Sequence, residues 1–172
     1  MAVINTKKLV ICAMLTALTA LATIVIQIPS PMSGYVNLGD AVVLFSAFIL
    51  GPILGAISAG LGSALADILT GYVIYAPATL IIKATMAVVA YLIFIVIKKA
   101  FNKNLPALIL GGIVAELIMV AGYFLYACLI MGEGIAAAAS IPGNLVQGLI
   151  GVIIGTAISV FFVHKNPFDK SE

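Results

Sequence analysis

From Leu9 to Ile28 the chain runs twenty residues without a charge, and comparable apolar segments follow at about 40–50, 53–70, 77–97, 106–131 and 141–163. About twenty apolar residues is the length that carries a helix across the hydrocarbon of a bilayer. Charged residues make up only 8% of the 172, against 64% hydrophobic, with a mean hydropathy of +1.30. So few charges cannot cover a soluble domain. The expected fold class is an all-α integral membrane protein: one transmembrane domain over 1–172 with six transmembrane helices. The opening "MAVINTKKLVICAMLTALTALATIVIQIP" sets Lys7 and Lys8 before an apolar run, as a secretion signal does. The run is long enough to span, however, and equally apolar segments follow, so it is expected to stay as the first helix.

Gly51–Pro52 separates the second segment from the third, a helix breaker followed by a helix starter. Reading 40–70 as one kinked element gives five helices instead. The lysines decide between the two. Lys7 and Lys8 precede the first segment, Lys98, Lys99 and Lys103 lie between the fourth and fifth, and Lys165 and Lys170 follow the sixth. Six spans with cytoplasmic N- and C-termini put all seven on the cytoplasmic side, as positive-inside bias requires. Five spans would leave the last two outside. The expected location is the cell membrane, as a multi-pass protein.

Several function classes lack their residues. No G-x-x-x-x-G-K-[ST] marks a nucleotide-binding loop, and no G-x-S-x-G marks a serine hydrolase. The single histidine, His164, falls at the cytoplasmic end of the sixth segment, and no metal-ligating cluster exists, so neither metal nor cofactor is expected. No basic patch with interleaved aromatics points to nucleic acid. Cys12 and Cys128 read as apolar packing residues near opposite faces. The protein is expected not to be an enzyme, although Asp67 and Glu116 leave intramembrane catalysis as a remote alternative.

The eighth lysine, Lys83, lies inside the apolar run "APATLIIKATMAVVAYLIFIVIKK". A lysine in hydrocarbon costs at least about 2.5–3.5 kcal/mol, so it needs a purpose or a partner. It lies six residues beyond Pro77, about 9 Å below the outer surface at about 1.5 Å per residue. Asp67, near the outer end of the third segment, is the expected structural ion-pair partner; direct ligand contact and snorkelling to the interface are the other readings. Asp40 reads as a helix N-cap. Asn144 and Gln147 are three apart, so they share a helical face, as do Tyr123 and Tyr126. Glu116 sits deeper with no basic residue nearby in sequence, either touching ligand or held by a structural hydrogen bond. Nearly all these groups fall in the outer half, and the inner half is almost purely Ile, Leu, Val, Ala and Gly. A channel would need polar lining throughout, and a stand-alone carrier would usually carry a polar relay past the midplane. The pattern describes a small-molecule pocket open to the outside, with a closed floor.

Small residues form a second pattern. Gly55, Ala59, Gly60, Gly62 and Ser63 in the third segment, and Gly148, Gly151 and Gly155 in the sixth, permit close helix packing. Ala13 and Ala17, four apart in the first, serve either this packing or the docking of another membrane protein.

The stretch from Tyr35 to Tyr91 resembles the substrate-binding S components of energy-coupling factor (ECF) vitamin transporters. The blocks "NLGD", "GSALADILTGY" and "YAPATLIIK" carry the resemblance, with Glu116 and the Asn144–Gln147 pair in keeping. The similarity covers nearly the whole chain and is nearest to the riboflavin-transporter-like branch of pyridoxine or hydroxymethylpyrimidine type. It implies six helices, a vitamin held near the outer face, and ATP-driven uptake as part of an ABC transporter. It also implies partners: an ECF transmembrane coupling subunit and two cytoplasmic ATPase subunits, the former docking on Ala13 and Ala17. The expected substrate-binding residues are Asn37, Lys83, Glu116, Tyr123, Asn144 and Gln147. Thiamine-binding members are rich in tryptophan around their ligand, and this chain has none. Vitamin B6 therefore ranks first, hydroxymethylpyrimidine second, and riboflavin stays open.

Overall fold

The structure is a computed structural model describing residues 6–30 and 34–163. Lys165, Lys170 and His164 lie outside the described residues. Six α-helices make the body: α1 (Thr6–Val25), α2 (Gly39–Leu50), α3 (Pro52–Leu69), α4 (Ala76–Phe101), α5 (Asn104–Leu125) and α6 (Ile141–Val163). A π-helical turn, Tyr126–Ile130, extends α5, and a 3₁₀ helix, Gly134–Ser140, leads into α6. The stretch read as an irregular polar loop contains a small antiparallel ribbon. Strands β1 (Gln27–Pro29) and β2 (Tyr35–Asn37) pair with Ile28 opposite Val36.

Five stretches are long and apolar enough to cross a membrane, namely α1, α3, α4, α5 with its π turn, and α6 with its 3₁₀ lead. Their outward faces carry bare aliphatic side chains such as Met14, Leu21, Ile53, Ile81, Leu117 and Leu149. In water such a surface would drive association; in lipid it is the ordinary solvent-facing side. The chain is a multi-pass membrane protein.

Helix α2 differs. Its 12 residues give a length of about 18 Å, against about 30 Å of hydrocarbon. Every residue except Phe45 is buried, so α2 is the inner strut of the bundle. A helix apolar on all faces belongs in a core, and this one has no lipid-facing stripe to match to the bilayer. At Gly51, with φ of 83°, the chain reverses. Pro52 then starts α3, and a Cβ on Gly55 would come within 2.8 Å of the Ala47 backbone. The return of α3 onto α2 rules out a single kinked helix over 40–70.

Away from the ribbon end the interior is mostly apolar. Val43, Leu44, Ala47 and Phe48 from α2 pack with Met86, Ala87, Ala90 and Phe94 from α4 and with Leu108, Ala115 and Met119 from α5. Glycine sets how close the helices come. A Cβ on Gly62 would meet the Thr16 carbonyl at 2.6 Å and Thr19, locking α3 to α1, and one on Gly155 would meet the Ala41 carbonyl at 3.0 Å. On α1 the inward face is Cys12, Leu15, Thr19 and Thr23, while Ala13 and Ala17 are exposed on the other side.

Candidate ligand site

One end of the bundle holds a cavity of about 580 Å³, its open mouth included. Each wall comes from a different element. The ribbon contributes Tyr35 and Asn37, α3 contributes Ser63 and Asp67, α4 contributes Thr79 and Lys83, α5 contributes Tyr123, and α6 contributes Asn144 and Gln147. The pairs Ser63/Asp67 and Thr79/Lys83 are four residues apart, so each pair presents one helical face to the cavity.

The floor is a buried polar network. The Lys83 ammonium donates to Asp40 Oδ1 as an ion pair in which both side chains are almost wholly buried. Gln147 Nε2 donates to Asp40 Oδ2 at 2.6 Å. Gln147 Oε1 in turn accepts the Asn37 backbone N–H at 2.8 Å, and Asn37 Oδ1 accepts the Gly39 N–H at 2.8 Å. Asp40 lies in the first turn of α2, where unpaired backbone N–H groups favour negative charge. The Lys83 ammonium also sits 5.5 Å from the Tyr123 ring centroid, within cation–π reach. Tyr123 donates its hydroxyl to Thr79 Oγ1 at 3.1 Å.

This network corrects the expected pairing. Lys83 binds Asp40, and Asp67 accepts a hydrogen bond from the Tyr35 hydroxyl instead. The cause is the ribbon: it brings Asn37 and the start of α2 down to the level of Lys83, so Asp40 is a floor residue and Leu38, not Asp40, is the N-cap.

Five of the six expected binding residues, Asn37, Lys83, Tyr123, Asn144 and Gln147, line the cavity. Glu116 does not. It is buried one layer deeper, where a Cβ on Gly151 would lie 2.9 Å from both Asp40 Cβ and Glu116 Oε1. Its carboxyl also borders a separate apolar groove between α5 and α6, and neither oxygen has a hydrogen-bond partner among the described residues. The residues missed as cavity walls include Thr23, Ser30, Tyr35, Ser63, Tyr75 and Thr79; the four-residue spacings to Asp67 and Lys83 were the available signal for Ser63 and Thr79.

The rim is aromatic. Tyr35 and Tyr72 have ring centroids 4.6 Å apart, Tyr75 and Tyr126 5.7 Å apart, and Tyr126 donates its hydroxyl to the Ile74 carbonyl. Burial pushes the Tyr75 phenol up to about 12, helped by the negative charge of Glu133, and burial with the Asp67 hydrogen bond raises Tyr35 as well. Among the described residues no three His, Cys, Asp or Glu gather as a metal site.

Residues 3–162 match the family model described as the ECF-type riboflavin transporter, S component. The chain belongs to that family. An uncharacterised protein from the gap 3′ region of Pyrococcus woesei is 36% identical over 137 residues, covering 77% of this chain and 86% of that protein. A solved structure described as the S component of a bacterial ECF transporter superposes with a TM-score of 0.72 at 22% identity, covering 90% of this chain and 94% of the other. That likeness establishes the S-component fold.

Proposed function

We propose that this S component captures a small vitamin at the outer face of the cell membrane for ATP-driven uptake. The observation that carries the reading is the cavity itself, walled by three side-chain amides, three tyrosines and a neutralised lysine over an apolar core. Amides offer donors and acceptors without net charge, and tyrosine faces stack on flat rings. A small hydroxylated pyridine suits this wall, so vitamin B6 ranks first and hydroxymethylpyrimidine second. Riboflavin is the second reading, favoured by the description of the family model.

In this reading α2 supplies the sixth crossing from inside the bundle. The start of α1 and the end of α6 face the cytoplasm, as Lys7, Lys8, Lys98, Lys99 and Lys103 favour. The partners are a transmembrane coupling subunit and two ATPase subunits. The exposed Ala13–Ala17 face of α1 docks the coupling subunit, since small residues let helices approach closely. Calorimetric titration of the purified protein with pyridoxine, pyridoxamine, hydroxymethylpyrimidine, riboflavin and thiamine tests the substrate. Saturable one-to-one binding of a single compound is expected; no binding by any of them overturns the reading. Ala13→Leu is expected to reduce copurification with the ATPase subunits while leaving that titration unchanged, and unchanged copurification would remove the docking face.

A further inference from the structure

The two carboxylates near the cavity are in different states of compensation. Asp40 is fully engaged, one oxygen taking the Lys83 ammonium and the other the Gln147 amide. Asp67 is not. Its Oδ1 accepts the Tyr35 hydroxyl, whereas its Oδ2 has no hydrogen-bond partner among the described residues, although the side chain is 97% buried (relative exposure 3%) and lines the cavity. The hydroxyls of Ser63 and Ser30 line the same cavity and are also buried without a partner among the described residues. Three orphaned polar atoms lining one open pocket, two of them on α3, are an unusual concentration, since buried polar groups are nearly always paired. The charge balance agrees. Lys83 pairs directly with Asp40, so the Asp67 carboxyl lines the cavity with no ion-pair partner in contact among the described residues.

We propose that Asp67, with Ser63 and Ser30, forms a second recognition pole that accepts hydrogen bonds from the ligand's own hydroxyl or ammonium groups, selecting neutral or cationic cargo over phosphorylated cargo. This rests on the vitamin-capture reading and narrows it to a substrate class. Asn37, Asn144 and Gln147 read the ring, while Asp67 reads its donor substituents. A phosphate ester in the same place would set negative charge against the Asp67 carboxylate, and like charges in a poorly solvated site repel strongly.

The test is titration calorimetry of the purified full chain with pyridoxine, pyridoxamine and pyridoxine 5′-phosphate, and with riboflavin and riboflavin 5′-phosphate. For whichever ring binds, the phosphate ester is expected to bind at least about tenfold more weakly than its parent, the scale of one charge-assisted hydrogen bond gained or lost. Where the pyridine ring binds, pyridoxamine is expected to equal or exceed pyridoxine. Asp67→Asn is expected to weaken the parent by about tenfold and to narrow the gap to the ester, which steric exclusion alone would not do. A phosphate ester that binds wild type as well as its parent overturns the proposal, and this comparison needs no variant to fold. So does an Asp67→Asn variant that shifts parent and ester by the same factor. Binding by neither ring overturns the vitamin reading itself and takes this inference with it, an outcome distinct from the other two.

Discussion

The cavity end of the bundle and the opposite end, its outer and inner halves in the reading proposed above, are built from the same helices but held together by different means. In the outer half Asp40, Lys83, Gln147 and Asn37 form one buried network, each member holding the next. In the inner half Phe48, Leu44, Met86, Leu108 and Met119 fill space with no polar side chain among them. Polar contacts are directional and fail one partner at a time; apolar packing is non-directional and fails by volume. The difference teaches that a recognition surface and a scaffold can share a helix, because α2 contributes Asp40 to the one and Phe48 to the other.

The sharpest way to break this comparison is to orphan a charge. Lys83→Met leaves Asp40 buried without its cation, a change expected to cost about 3–5 kcal/mol of stability and to abolish ligand binding. Thermal unfolding in detergent measures the first and calorimetry the second. The double variant with Asp40→Leu should recover much of the stability but none of the binding. Phe48→Ala, in the inner half, should cost about 3–5 kcal/mol by cavity formation while leaving affinity within about threefold in the protein that remains folded. Comparable loss of affinity in that variant would erase the distinction between the halves.

A smaller effect is expected at the seam. Gly148→Val would place a Cβ 2.9 Å from Glu116 Cβ, and overpacking of this kind costs about 1–3 kcal/mol. Glu116 lies behind the floor, so affinity should fall less than for any cavity-wall substitution. The smallest effect is at the rim. The Tyr75 phenol has the ordinary tyrosine pKa of about 10 when unfolded, and burial pushes it up to about 12 in the folded protein. Between those values the unfolded chain has lost a proton that the folded chain keeps, so this group's contribution to stability falls as pH rises from 10 to about 12 and is unchanged below 10. Tyr75→Phe should flatten that alkaline slope in melting curves taken from pH 8 to pH 12.

Much of this organisation was legible in the residues. The helix-forming segments, the break at Gly51–Pro52 and the gathering of polar groups at one end follow from hydrophobic length, turn chemistry and the cost of burying charge. The partner of Lys83 was not legible, because it depends on how far the segment between α1 and α2 folds inward. No local rule sets that depth. The segment's register comes from the pairing of Gln27–Pro29 with Tyr35–Asn37, and the descent of α2 from its burial by every neighbour. Glu116, expected to lie deeper than the other polar groups, is two helical turns from Tyr123 and shares its face, yet it packs beside Asp40 at Gly151 and does not line the cavity.

The most direct test of the account is a ligand titration repeated on Gln147→Leu. Gln147 joins the amide wall to the Lys83–Asp40 floor, and leucine keeps its bulk while removing its hydrogen bonds to Asn37 and Asp40. The account predicts one-to-one binding of a single vitamin by the wild type and a loss of at least about tenfold in affinity in the variant. Equal affinity in the two proteins would contradict it, because the ligand would then be held somewhere other than this cavity.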